Sequence, residues 1–144
     1  MKEKMIGMMF KFSVVLVLLL AMPSLGCAFE SIDIVTKERA KELGVEIRWN
    51  PAGPDAVRVV LEFETKGELK SYTRVELAMH EGDKLLMSST LREEEAKPGH
   101  VVVSFAADRK KLPQIQLRVV TQNGGERTGY EISVKDFVDL EKLR

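Results

Sequence analysis

A side-chain period of two, returning in seven separate stretches, constrains this chain more than any other feature. The clearest case is Val57 to Thr65, where Val57, Val59, Leu61 and Phe63 fall on one side and Arg58, Val60, Glu62 and Glu64 on the other. A helix would spread these four apolar residues around its circumference. An extended strand lines them up, because successive side chains point to opposite faces. One apolar face and one polar face predict a sheet that packs on a core with one side and meets water with the other. The same period returns in Val45, Ile47 and Trp49 against Glu46 and Arg48, and in Thr73, Val75, Leu77 and Met79 against Arg74, Glu76 and His80. Lys84 to Arg92 has two plausible faces, of which Leu85, Met87, Ser89 and Leu91 are expected inside. Val101, Val103, Phe105 and Ala107 alternate with Val102, Ser104 and Ala106, and Ile115, Leu117, Val119 and Thr121 with Gln116, Arg118 and Val120. Gly129 to Asp136 places Tyr130, Ile132 and Val134 inward.

Turn-forming residues separate these stretches: Asn50 to Asp55, Lys66-Gly67-Glu68, Glu81-Gly82-Asp83, Pro98-Gly99 and Asn123-Gly124-Gly125. Each supplies Gly, Pro, Asn or Asp where a chain must reverse. Residues 29–144 are 116 in number, the length of one domain with one core. The expectation is therefore an all-β, antiparallel, seven-stranded β-sandwich. In architecture it resembles the immunoglobulin-like and fibronectin-like sandwiches, without the paired cysteines of immunoglobulin domains. A small closed β-barrel is the alternative, since short antiparallel strands also suit it. Before the first strand, Ser31 to Val35 alternates like a short strand. Residues 36–43 then read as a short N-terminal helix, with Thr36 able to cap it and Gly44 where a left-handed residue is wanted. The tail spaces Phe137, Leu140 and Leu143 by threes, like a helical turn.

Ahead of this domain, Phe12 to Met22 (FSVVLVLLLAM) is an unbroken apolar run preceded by Lys2, Lys4 and Lys11 and followed by Pro23-Ser24-Leu25-Gly26-Cys27-Ala28. A basic start, an apolar middle and small residues at the end make residues 1–28 an export signal segment. Gly26-Cys27-Ala28 suits cleavage after Ala28, leaving a mature chain that starts at Phe29. Ser24-Leu25-Gly26-Cys27 resembles a bacterial lipobox, which would make Cys27 a lipidated first residue and a membrane tether, although Ser24 and Leu25 stand in the reverse of the usual order. An uncleaved anchor is the third reading, and the run is shorter than the ~20 residues that a spanning helix prefers. Beyond Ala28 the chain carries 19 Lys and Arg against 21 Asp and Glu, a net charge of −2, which argues against nucleic acid as a partner. The single cysteine allows no internal disulfide, and no Asn-x-Ser/Thr acceptor is present. Together these point to the bacterial periplasm or cell envelope, with secretion as the alternative.

Chemistry-bearing patterns are sparse. His80, Glu81 and Asp83 are metal-ligand types on one turn, and Glu93, Glu94 and Glu95 are calcium-ligand types. Neither set has the spacing of a defined site, and no cofactor is expected. Ser88, Ser89 and Ser104 are nucleophiles by residue type alone, outside any Gly-x-Ser-x-Gly elbow. A small loop-built hydrolase or metal-dependent enzyme is thus the alternative to a non-catalytic module that contacts a protein or an envelope polymer. The module reading rests on Val60, Val102 and Val120, which lie opposite the core sets of three strands and would form an apolar interaction patch if those strands are neighbours. The competing reading covers these valines with Ala40, Leu43 and Phe137 of the same chain. Trp49 either stacks on a ligand or plugs the end of the core. Arg109-Lys110-Lys111 is either an anion-binding run or a solvated loop.

Overall fold

A computed structural model describes residues 29–143. Residues 1–28, which the sequence reads as an export signal segment, and with them Cys27, lie outside the described residues. Eight strands form two sheets. They are β1 (Phe29–Ile34), β2 (Glu46–Pro51), β3 (Ala56–Glu64), β4 (Tyr72–Glu81), β5 (Lys84–Leu91), β6 (His100–Asp108), β7 (Ile115–Asn123) and β8 (Glu126–Ser133). The larger sheet has the order β1-β8-β7-β4-β5 and the smaller the order β2-β3-β6. Two open sheets take the place of the alternative closed barrel.

The core follows from the period-two pattern. Val57, Val59, Leu61 and Phe63 of β3 join Val101 and Val103 of β6, and meet Val75, Leu77, Ile115, Leu117, Val119, Tyr130 and Ile132 of the larger sheet in one apolar cluster. Every one of these side chains is buried, several of them completely. The apolar faces of both sheets therefore share one interior, in which burial of each large side chain stabilises by roughly 1.5–3 kcal/mol. Phe63 and Tyr72 meet edge to face, with ring centroids 5.2 Å apart. Burial first, and then Glu93, push the Tyr72 phenol well above its usual pKa.

Between β1 and β2 the helix α1 spans Lys37–Leu43. The Thr36 hydroxyl accepts from the Arg39 N–H at 3.2 Å. Gly44 ends the helix at φ 71°, a conformation that side chains with a Cβ disfavour. Seven residues make too short a helix to persist alone; Ala40 and Leu43 are buried in the core, and Arg39 donates to Asp33 of β1 and to Glu68, each at 2.8 Å.

The sequence expectations need four corrections. The strand count is eight, not seven, and the sheet is not wholly antiparallel: β1 is a strand in its own right and runs parallel to β8, from Phe29 opposite Glu126 to Ile34 opposite Glu131. Ile32 and Ile34 face outward and are 56% and 73% exposed, so this strand has no apolar face in the core to announce it. Leu85, Met87 and Ser89 are not buried. Leu85 turns to the outward face with His80, because the β4–β5 register shifts between Met79 and His80, and on the core side of this edge strand the three-stranded sheet is too narrow to cover Met87 and Ser89; Leu85, Leu86 and Met87 are 54%, 42% and 47% exposed, and only Leu91 packs partly on the core. Thr73 is exposed because the β4–β7 register shifts between Tyr72 and Arg74, which turns Tyr72 toward the core instead. Finally, β8 runs Glu126–Ser133 rather than Gly129 to Asp136, with Val134–Asp136 in a 3-10 turn instead of the strand; the turn expected in the tail is a 3-10 turn at Leu140–Leu143. Val134 and Val138 still close the core from that end.

Candidate functional site

Two of the three patch valines come together. Across the smaller sheet Arg48 pairs with Val60, Val60 with Ser104, and Glu62 with Val102. The strict alternation of β3 puts Val59 and Leu61 in the core, which forces Val60 and Glu62 onto the outward face. Val60 and Val102 are then diagonal neighbours there, close enough for their side chains to share one apolar strip. Both are half-buried, and both line a groove of about 390 Å³ together with Arg48, Trp49, Asn50, Arg58 and Glu94.

The walls are held by charge pairs. Arg48 Nη2 donates to Glu62 at 2.7 Å, and Arg58 Nη2 donates to Glu94 at 3.1 Å and to the Ser104 hydroxyl at 3.3 Å. Ser104 in turn donates to Glu94. Glu94 comes from the segment after β5, which crosses to the smaller sheet: Glu93 bridges Val103, and the Glu94 N–H donates to the Val102 carbonyl at 2.7 Å. The Ser104 hydroxyl first, and then Arg58, hold the Glu94 carboxyl below its ordinary pKa. The Ser104–Glu94 contact thus ties the segment after β5 to the outward face of β6.

Val120 stands apart from the other two valines. It lies on β7 of the larger sheet, between Arg74 of β4 and Gly129 of β8, and is almost fully buried. Gly129 explains part of that cover: a Cβ at this position would stand 2.9 Å from Arg118 Cδ, so the absence of a side chain lets the Arg118 stem lie across the sheet toward Glu131. Ala40 and Leu43, the competing cover, are in the core instead.

The remaining sequence candidates are dispersed. Trp49 pairs with Val59 and packs, partly buried, against the core. His80 pairs with Leu85 and lines a small cavity of about 120 Å³ with Glu76, Ser88 and Gln116. His100 lies 3.7 Å from Glu64 on the opposite strand. Among the described residues no three His, Cys, Asp or Glu side chains converge to hold a metal, so neither the His80, Glu81 and Asp83 set nor the Glu93 to Glu95 set forms such a cluster. Ser88 and Ser89 are exposed on β5. Lys110 and Lys111 are exposed on a 3-10 turn, Arg109–Gln114, anchored by fully buried Leu112. A further hollow of about 560 Å³ near the β7–β8 turn is lined by Glu68, Lys70, Thr121, Thr128 and Tyr130, among others. Among the described residues no helix is long and apolar enough to cross a membrane.

What the sequence leaves out of the site is Glu94. Arg48, Arg58 and Glu62 follow from the outward parity of β2 and β3, but the return of the charged loop onto β6 has no local signal. No family model, curated protein or solved structure matches the chain.

Proposed function

We propose that this chain is an exported, non-catalytic module of the bacterial cell envelope that recognises a protein or a surface polymer through the outward face of β2, β3 and β6. The observation that carries the reading is the groove that Val60 and Val102 line. An apolar strip ringed by Arg48–Glu62 and Arg58–Glu94 pairs has the layout of an interaction patch, with an apolar centre and a polar rim. Export is supported by the apolar run Phe12 to Met22 and the small residues after it, with release by cleavage after Ala28 or tethering through a lipidated Cys27.

The finer fold reading, an immunoglobulin-like or fibronectin-like sandwich, is supported by the strand order. Taking β2 to β8 as seven consecutive strands, the first, second and fifth share one sheet and the third, sixth and seventh share the other. This is the division of the immunoglobulin fold, with the fourth strand moved from one sheet to the other. The Glu93–Glu94 bridge to β6 occupies the place that the fourth strand has left.

Replacing Val102 by a photo-crosslinking residue in the native envelope tests the groove, with Gln122 on the larger sheet as the control position. Adducts are expected from Val102 and not from Gln122. Equal labelling at both positions, or none at either, would sink the assignment.

A further inference from the structure

We propose that a second copy of this chain pairs antiparallel with β5 about a two-fold axis at Ser89, joining two five-stranded sheets into one of ten strands. An open edge presents a row of backbone donors and acceptors that only another extended chain can satisfy in register, and proteins usually blunt such edges. Three of the four edges are blunted. The free side of β6 is bridged by Glu93 and Glu94. β2 ends in Pro51, which has no N–H, and carries Glu46 and Arg48. β1 is shorter, with six residues, and carries Asp33. By contrast, β5 has eight residues with one charge, Lys84, at its end, and it exposes Leu85, Leu86 and Met87.

The register within β5 selects the occupant. Met79 pairs with Met87 and His80 with Leu85, so Leu86 is an extra, bulged residue. The regular part of the edge is therefore Met87 to Leu91, paired residue for residue with Met79 to Val75. Its sequence, Met-Ser-Ser-Thr-Leu, has an apolar residue at each end and three hydroxyls between them, so it matches its own reversal in kind. A two-fold axis makes one edge strand meet itself antiparallel and sets one residue opposite its own copy. With Ser89 at the axis, Met87 meets the second copy's Leu91, and Ser88 meets the second copy's Thr90. Apolar residues then face each other on the core side, in line with Val75 and Met79, while hydroxyls pair on the outer side. Centred on Met87 instead, the pairing would put the bulge of each copy against the regular stretch of the other.

Sedimentation equilibrium of the exported chain, as the cell produces it, tests the pairing. The wild type is expected to be a dimer. Ser89→Lys and Ser89→Glu each place like charges across the axis and should raise the dimer dissociation constant at least about tenfold. Mixing the two variants in equal amounts should restore the dimer. Ser89 is exposed, so circular dichroism of both variants should match the wild type. A wild type that stays monomeric, a Ser89→Lys chain that dimerises as tightly as the wild type, or a mixture that fails to reassociate would each overturn the proposal. None of these outcomes bears on the Val60–Val102 groove, which lies on the other sheet.

Discussion

Val59 and Arg58 are adjacent in the chain, yet one is fully buried against β6 and the β4–β7 face while the other reaches across the outward surface to Glu94. Val59→Asp should therefore prevent folding, because a carboxylate there has no partner and no water. Arg58→Asp should fold, losing the exposed contacts to Glu94 and Ser104 and setting two carboxylates side by side at the surface, a change of about 1 kcal/mol that chemical denaturation would resolve. Equal loss of structure in both variants, seen by circular dichroism, would overturn the register. Glu94 supplies a pH dependence. Its folded pKa is depressed, so its contribution is present above the unfolded value of ~4.3 and is lost as pH falls through the lower folded value. Thermal melts of wild type and Glu94→Gln should differ near neutrality and converge in acid. A gap that widens as the pH falls would reverse that sign. Thr36 and Gly44 were legible in the sequence because a cap acts within one turn of its helix. Glu94 was not, because its partners Arg58 and Ser104 are 36 and 10 residues away.

Among the elements, β3 has the faces that its alternation predicts, with the strand at Ala56–Glu64 rather than Val57 to Thr65, since both its faces carry the pattern and both its neighbours are strands. β5 shows why pattern alone does not give burial. Met87, Ser89 and Leu91 do share the core-side face with Val75, Leu77 and Met79, but a side chain is buried only if something lies opposite, and the smaller sheet ends too soon. Leu85 changes face because of the extra residue Leu86. β1 was visible as an alternating segment, but its isoleucines point away from the core, and its pairing with a strand near the other end of the domain has no local signature. Substitution should separate these classes. Leu86→Lys on β5 should shift stability by less than about 1 kcal/mol, whereas Leu117→Ala on central β7 should cost roughly 2–5 kcal/mol, as measured by urea unfolding of each variant. Comparable losses would mean that β5 is covered after all.

For the whole molecule, two sheets of unequal width leave the larger one overhanging on the β5 side, and both candidate surfaces follow from it: a face with a groove on the narrow sheet and an open edge on the wide one. Intact mass of the chain isolated from cells tests how these surfaces are presented. The expected species begins at Phe29, and a diacyl or triacyl addition on Cys27 would instead mean a tethered protein. The parallel β1–β8 pair carries a further consequence, which concerns time rather than space. Phe29 lies opposite Glu126, so the two strands are almost a full domain apart along the chain. Ribosomes make chains from the amino end, and a channel that threads them in the same direction keeps that order. β1 then emerges first, while the strand that receives it emerges after every other strand. Among the eight strands the one made first thus has its partner made last, and until then the outer side of β8 stays open to any other extended segment that arrives.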